Sequence, residues 1–208
     1  MSSRRLLVPV VFAIFGLAAA PSAHADPAQD ATAFIDDFGH RAIGALTGPD
    51  LSDQQLTERF RALFQEGFDV PYVARSALGV FWRRATDDEK AQYIPLFEEY
   101  IAQIYSGLFR QYKGETFTAK SAQAGADNMI TVLSEVVRPE GPATPVQWVV
   151  TQVDGKLRIR DVKIEGVSMV NTYRDQFANE ILQRDGKVAG LIDALRQKTA
   201  SLRISKDG

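Results

Sequence analysis

Apolar residues in the first half of the chain recur at helical spacing. Between positions 27 and 46 they fall at Ala31, Phe34, Ile35, Phe38, Ala42, Ile43 and Leu46, one apolar face of a helix closed by Gly48-Pro49. Ser52, with Gln55 three residues on, is a capping box, and Leu56, Phe60, Leu63 and Phe64 carry a second amphipathic helix to Gly67. Asp69 and Pro71 suit the start of a third, short helix ending near Gly79. Thr86 and Glu89 form another capping box. It opens a long helix bearing Tyr93, Phe97, Ile101, Ile104, Tyr105, Leu108, Phe109 and Tyr112, kinked at Pro95 and stopped at Gly114.

After Gly114 the period falls from 3.6 to 2, and segments 116–123, 129–138, 146–153 and 156–164 read as strands. Asp154-Gly155 is the signature of a two-residue type I′ hairpin, and the other short polar connections predict an antiparallel meander. Leu157 and Ile159 sit on one face of the last strand, Val162 and Ile164 on the other. The pattern therefore slips by one residue at Arg160-Asp161, where a β-bulge would curve the sheet. Val170, Tyr173, Phe177 and Ile181 mark a closing helix capped by Ser168. Val188, Leu191, Ile192, Leu195 and Leu202 mark another after Gly186, with residues 206–208 frayed. The predicted class is α+β: a curved four-stranded antiparallel meander sheet covered by N- and C-terminal helices.

The N-terminus changes the picture. Arg4-Arg5, an uncharged run over residues 6–20 and Ala23-His24-Ala25 are the three parts of a secretory signal peptide, with cleavage expected after Ala25. The run is short of the roughly 20 residues a membrane span needs. Residues 1–25 are thus read as a signal peptide and 26–208 as a single domain outside the cytoplasm. The absence of cysteine excludes a disulfide framework, a thiolate metal site, a cysteine nucleophile and a lipidated N-terminal cysteine. A net charge of −2, more acidic once Arg4 and Arg5 are removed, lacks the basic footprint of a nucleic-acid-binding protein.

Catalytic chemistry is thin. His40, the single histidine outside the leader, would need a nucleophile or an orienting carboxylate converging on it to act as a general base, and reads as a surface or boundary histidine. Ser168 lacks the final glycine of the G-x-S-x-G elbow and reads as a helix cap. Asp87-Asp88 complement a helix N-terminus, while Asp36-Asp37 and Glu98-Glu99 read as solvated pairs. No metal loop or glycine-rich phosphate loop occurs. The chain is read as a non-enzyme without metal or cofactor.

What is in surplus is aromatic and aliphatic surface. A kinked helix cannot lie flush on a curved sheet, and the gap would be an apolar cavity. Ile101, Tyr105 and Phe109 would face it from the long helix, and Val132, Val136, Trp148, Val150, Val162 and Ile164 from the sheet. Val167, Met169, Val170 and Phe177 would close it near the last helices. A filled core has the same composition, and both readings stay open on composition alone.

Gly67-Phe68-Asp69-Val70-Pro71-Tyr72-Val73-Ala74-Arg75, then Leu78-Gly79 and Trp82, resemble the front half of the MlaC/toluene-tolerance family of periplasmic phospholipid-binding proteins. So do residues 97–112 and Glu165-Gly166-Val167-Ser168-Met169-Val170 followed by Tyr173-Arg174-Asp175-Gln176-Phe177. The resemblance runs from about Phe34 to Leu195. It implies a soluble carrier shuttling glycerophospholipid across the periplasm, with acyl chains between sheet and helices and the headgroup at the mouth. The implied partners are an outer-membrane lipoprotein complex and an inner-membrane ABC transporter with an MCE-domain subunit, with transient membrane contact. A hopanoid-associated member of the same family is a second implied reading, and a non-lipid adaptor module with a filled core is the alternative the residues themselves leave open. Arg83-Arg84 beside Phe81-Trp82 is a candidate docking pair.

Overall fold

The computed structural model describes residues 26–48 and 50–207, with side chains to Arg203. The expected signal peptide, Pro49 and Gly208 lie outside the described residues. Helix α1 spans Pro27–Leu46, with Asp26 accepting the Ala28 N–H and Pro27 in the first turn. The capping boxes at Ser52 and Thr86 are both formed, and they start α2, Asp53–Gly67, and α4, Asp87–Ser106. Between them α3, Val70–Leu78, is capped by the Asp69 carboxylate. A 3-10 segment, Gly79–Arg83, leads on to α4.

The long helix does not reach Gly114. After Ser106 it tightens into a 3-10 segment, Gly107–Gln111. Glycine disfavours the α-helical interior, and 3-10 turns are a common way for a helix to finish.

The strands are β1, Thr116–Ala124, β2, Ile130–Val137, β3, Thr144–Val153, β4, Lys156–Ile164, and β5, Val167–Ser168, in sheet order β1-β2-β3-β4-β5. The sequence pattern predicts four strands, and five are present among the described residues. Glu165 (φ +51°) and Gly166 (φ +84°) form a tight turn that folds Val167 back onto Ile164. A two-residue strand has too little alternation to announce itself. All pairings between these strands are antiparallel. The Asp154-Gly155 hairpin has both residues at positive φ, +48° and +76°, as a type I′ turn requires.

The slip in β4 is a bulge. Val149 pairs with Asp161 but Val150 pairs with Ile159, so Arg160 is the extra residue. Through it Ile159 and Val162 reach the same face. A second bulge, at Lys120 in β1, has no counterpart in the sequence pattern; there Asp36 Oδ1 of α1 accepts the Ala119 N–H at 3.1 Å.

Helices α5, Met169–Leu182, and α6, Val188–Asp207, complete the fold, with Ser168 Oγ accepting the Asn171 N–H. Helical backbone therefore extends into the tripeptide expected to fray.

Two cores result. One is helical and gathers α2 to α6 around Tyr93, Phe97, Leu78, Ile181, Leu191 and Leu195. The other lies between α1 and the sheet, with Ala31, Ile35 and Phe38 on Phe117, Ile130, Val132, Val150 and Ile159. Gly39 permits the close approach of α1: a Cβ there would come 2.4 Å from the Phe117 ring.

Glu98 and Glu99 depart from expectation. Their side chains are only 17 % and 16 % exposed, and Glu99 binds Arg61 of α2 and Arg203 of α6 (2.7 Å). Burial pushes the Glu99 carboxyl up, but Arg203, Gln103 and Arg61 outweigh it and hold it below the usual carboxylate range. The pair fastens three helices together. A hydropathy pattern sees only that glutamate is polar.

Candidate functional site: a cavity between the two cores

Where the two cores meet, the elements leave a cavity of about 1000 Å³. Its walls come from every layer. Phe38, Ala42 and Ile43 project from α1, and Phe60, Leu63 and Phe64 from α2. Phe97, Ile101 and Tyr105 come from α4, Leu108 and Phe109 from the 3-10 segment after it, and Met169, Val170 and Tyr173 from α5. The sheet supplies Phe117, Val136, Val146, Trp148, Val162 and Ile164.

The rings make a continuous wall. Phe60 stacks on Tyr105 (6.2 Å), Phe64 meets Phe68 (4.8 Å), Phe68 meets Phe38 (6.1 Å), and Phe38 meets Trp148 (6.4 Å). The polar atoms within this wall are engaged. Trp148 Nε1 donates to Ser134 Oγ at 2.8 Å, which donates to the Val146 carbonyl at 3.1 Å. Tyr173 donates to Tyr105 Oη at 3.1 Å, and Tyr105 donates to the Met169 sulfur at 3.9 Å. Burial pushes both tyrosine pKa values up, so both remain neutral donors. An indole or phenol satisfied in this way presents its carbon surface to the cavity.

Of the residues expected to face the cavity, Ile101, Tyr105, Phe109, Val136, Trp148, Val162, Ile164, Met169 and Val170 line it. Val132, Val150, Val167 and Phe177 do not. Val132 and Val150 share the cavity's face of the sheet, but they are fully buried in the core between α1 and the sheet. Phe177 packs in the helical core against Tyr93 and Phe97. Val167, on the edge strand, is 61 % exposed. The contributions of α1 and α2, Phe38 and Phe60 above all, go beyond what the sequence reading names. Their stripes at i, i+4 are visible in it, but an amphipathic face says nothing about whether it meets side chains or space.

The bulge at Arg160 organises one wall. Arg160 Nε donates to Asp69 at 3.0 Å, and its guanidinium lies 4.1 Å from the Tyr72 ring centroid. The Asp69 N–H donates to the Ile159 carbonyl at 2.9 Å. Asp161, next along, accepts from Ser168 Oγ (2.6 Å) and the Val170 N–H (3.1 Å). The Phe-Asp-Val-Pro-Tyr and Val-Ser-Met stretches, far apart in sequence, thus both fasten to the same bulged corner of β4.

The exposed members of the lining cluster at one end. They are Leu108, Arg110, Gln111, Lys113, Thr116, Arg138 and Ile164, where β1 begins and β2 and β4 end. Arg110 is paired with Asp53 (2.5 Å). Glu115 Oε2 accepts the Lys113 N–H at 2.7 Å. That bond comes first, then one from its own backbone N–H, then the Arg138 and Lys113 charges, in keeping Glu115 below the usual carboxylate range. This end is the mouth.

His40 is exposed on α1, its Nδ1 2.8 Å from the Asp36 carbonyl oxygen, and does not line the cavity. Arg83 and Arg84 are exposed away from the lining, with Arg84 over Phe81 at 5.6 Å. Among the described residues no group of three or more His, Asp or Glu could hold a metal ion, and no helix is long and apolar enough to cross a membrane.

Residues 39–197 match the family model described as MlaC protein. A curated relative, toluene tolerance protein ttg2D of Pseudomonas putida, is 26 % identical over 140 residues, 67 % of this chain and 65 % of its own length. A solved structure, a phospholipid-binding protein of Ralstonia solanacearum in complex with a phospholipid, is 25 % identical with a TM-score of 0.75. The similarity covers 83 % of this chain and 98 % of that one. The family model spans everything from the middle of α1 to α6, both halves of the cavity wall included, and the chain belongs to the MlaC family.

Proposed function

We propose that this protein is a non-enzymatic phospholipid carrier that shelters the acyl chains of its cargo in the cavity between the two cores. The observation that carries the reading is the cavity itself. At about 1000 Å³ it reaches the upper end of the range for small-molecule sites, and its deep wall is aromatic and aliphatic with the few polar atoms tied to one another. Support comes from the phospholipid complex of the structurally similar protein. With a signal peptide over residues 1–25, the carrier works in the periplasm. It would exchange cargo with an outer-membrane lipoprotein complex and an inner-membrane ABC transporter bearing an MCE-domain subunit, in a pathway that maintains outer-membrane lipid asymmetry. Transient membrane contact would accompany each exchange.

Cavity filling tests this. Val136 and Val162 line the space and are only half-buried. Val136→Trp and Val162→Trp should each give folded protein whose lipid content, read by solvent extraction and mass spectrometry, falls well below that of the parent chain. Normal lipid content in both variants would place the ligand elsewhere.

A further inference from the structure

The mouth carries charges in an arrangement the acyl-chain cavity does not require. Lys113, Glu115 and Arg138 all border the opening. Thr116 pairs with Val137 across β1 and β2, so continuing that register brings Glu115 opposite Arg138. An arginine facing a glutamate across an antiparallel ladder ordinarily pairs with it. Among the described residues these two form no ion pair, because Glu115 turns its carboxylate to the Lys113 N–H instead. Among those same residues neither the Lys113 ammonium nor the Arg138 guanidinium meets a carboxylate within ion-pair distance, although both influence Glu115 electrostatically. Arg110, close by, is already taken by Asp53. Two cations and one ionised carboxylate thus edge an apolar hole.

We propose that Lys113 and Arg138 hold the phosphate of the lipid headgroup and Glu115 receives a headgroup ammonium, so that the mouth favours zwitterionic aminophospholipids. The inference rests on the reading of the cavity as an acyl-chain site. A lipid whose chains enter between the cores must leave its phosphodiester at this end. Arg138 offers paired N–H donors and Lys113 a point charge, both suited to phosphate oxygens. An anionic headgroup without an amine would bring a hydroxyl or a second negative charge toward Glu115 and gain nothing there.

The test loads the mature chain from vesicles of equal parts phosphatidylethanolamine and phosphatidylglycerol with matched chains, then quantifies bound lipid by mass spectrometry. The parent chain should enrich phosphatidylethanolamine about threefold over the vesicle ratio, the size of an exposed ion pair. Glu115→Gln should return the ratio to that of the vesicle. Lys113→Ala with Arg138→Ala should lower both lipids together by about tenfold at limiting vesicle concentration, the combined effect of removing two such ion pairs with the phosphate. Lys113 and Arg138 are exposed, Glu115 is half-buried, and the amide oxygen of Glu115→Gln can still accept the Lys113 N–H, so circular-dichroism melts should match the parent. An unchanged ratio in Glu115→Gln, or an undiminished total in the double variant, overturns the headgroup assignment while the carrier reading stands. Displacement of either lipid by millimolar inorganic phosphate would mark a free-anion site and overturn it too. A parent chain that takes up neither lipid fails the carrier reading itself.

Discussion

Val132 and Trp148 pair across β2 and β3 and point to the same face, yet only Trp148 lines the cavity. The difference is α1. Val132 is fully buried in the core that Ala31, Ile35 and Phe38 of α1 form with Val150 and Ile159, whereas Trp148 only packs against the edge of that core and is part-exposed to the cavity. Alternation along a strand reveals which face is apolar, so the apolar face of the sheet is legible in the sequence. Which stretch of that face is covered depends on where a helix far away in sequence comes to rest. The two kinds of position should respond oppositely to bulk. Val132→Trp overfills a packed core and should cost about 1–3 kcal/mol, read as a lowered midpoint in urea unfolding. Val136→Trp, facing the cavity, should leave that midpoint near the parent's. Equal losses in both variants would mean that the cavity wall is packed as tightly as the core.

At the scale of elements, most of the architecture is readable because local chemistry agrees with it. Both capping boxes, the Asp154-Gly155 turn, the Ser168 cap and the Arg160 bulge follow from residues within a few positions of one another. What escapes is what depends on partners distant in sequence. Glu99 is the clearest instance: its partners Arg61 and Arg203 lie in α2 and α6. Because its folded pKa is depressed, the clamp contributes fully above the ordinary glutamate range, about 4.3, and is lost as pH falls through the lower folded value. Glu99→Gln should therefore cost about 1–3 kcal/mol at pH 7. Its deficit relative to the parent should shrink below pH 4, as urea midpoints measured across pH would register. A deficit constant from pH 7 to pH 3 would show that the carboxylate charge is not what matters.

For the whole molecule, an apolar cavity between two cores fits the proposed carrier role, which needs no catalytic group. A diacyl lipid hides about 30 methylenes, each worth roughly 0.8 kcal/mol on leaving water, so escape into water alone is prohibitively slow. In a bilayer those methylenes are already dry. The protein needs only to match that environment, and an aromatic and aliphatic wall does so without chemistry. Under the proposed carrier role, net direction would come from an energy-consuming partner.

The most direct test of this account is the native mass of the mature chain purified without detergent or organic solvent. The prediction is a population heavier than the polypeptide by the mass of one phospholipid, converted to the bare chain by solvent extraction and restored by incubation with phospholipid vesicles. A bare polypeptide mass both as purified and after exposure to vesicles would contradict it.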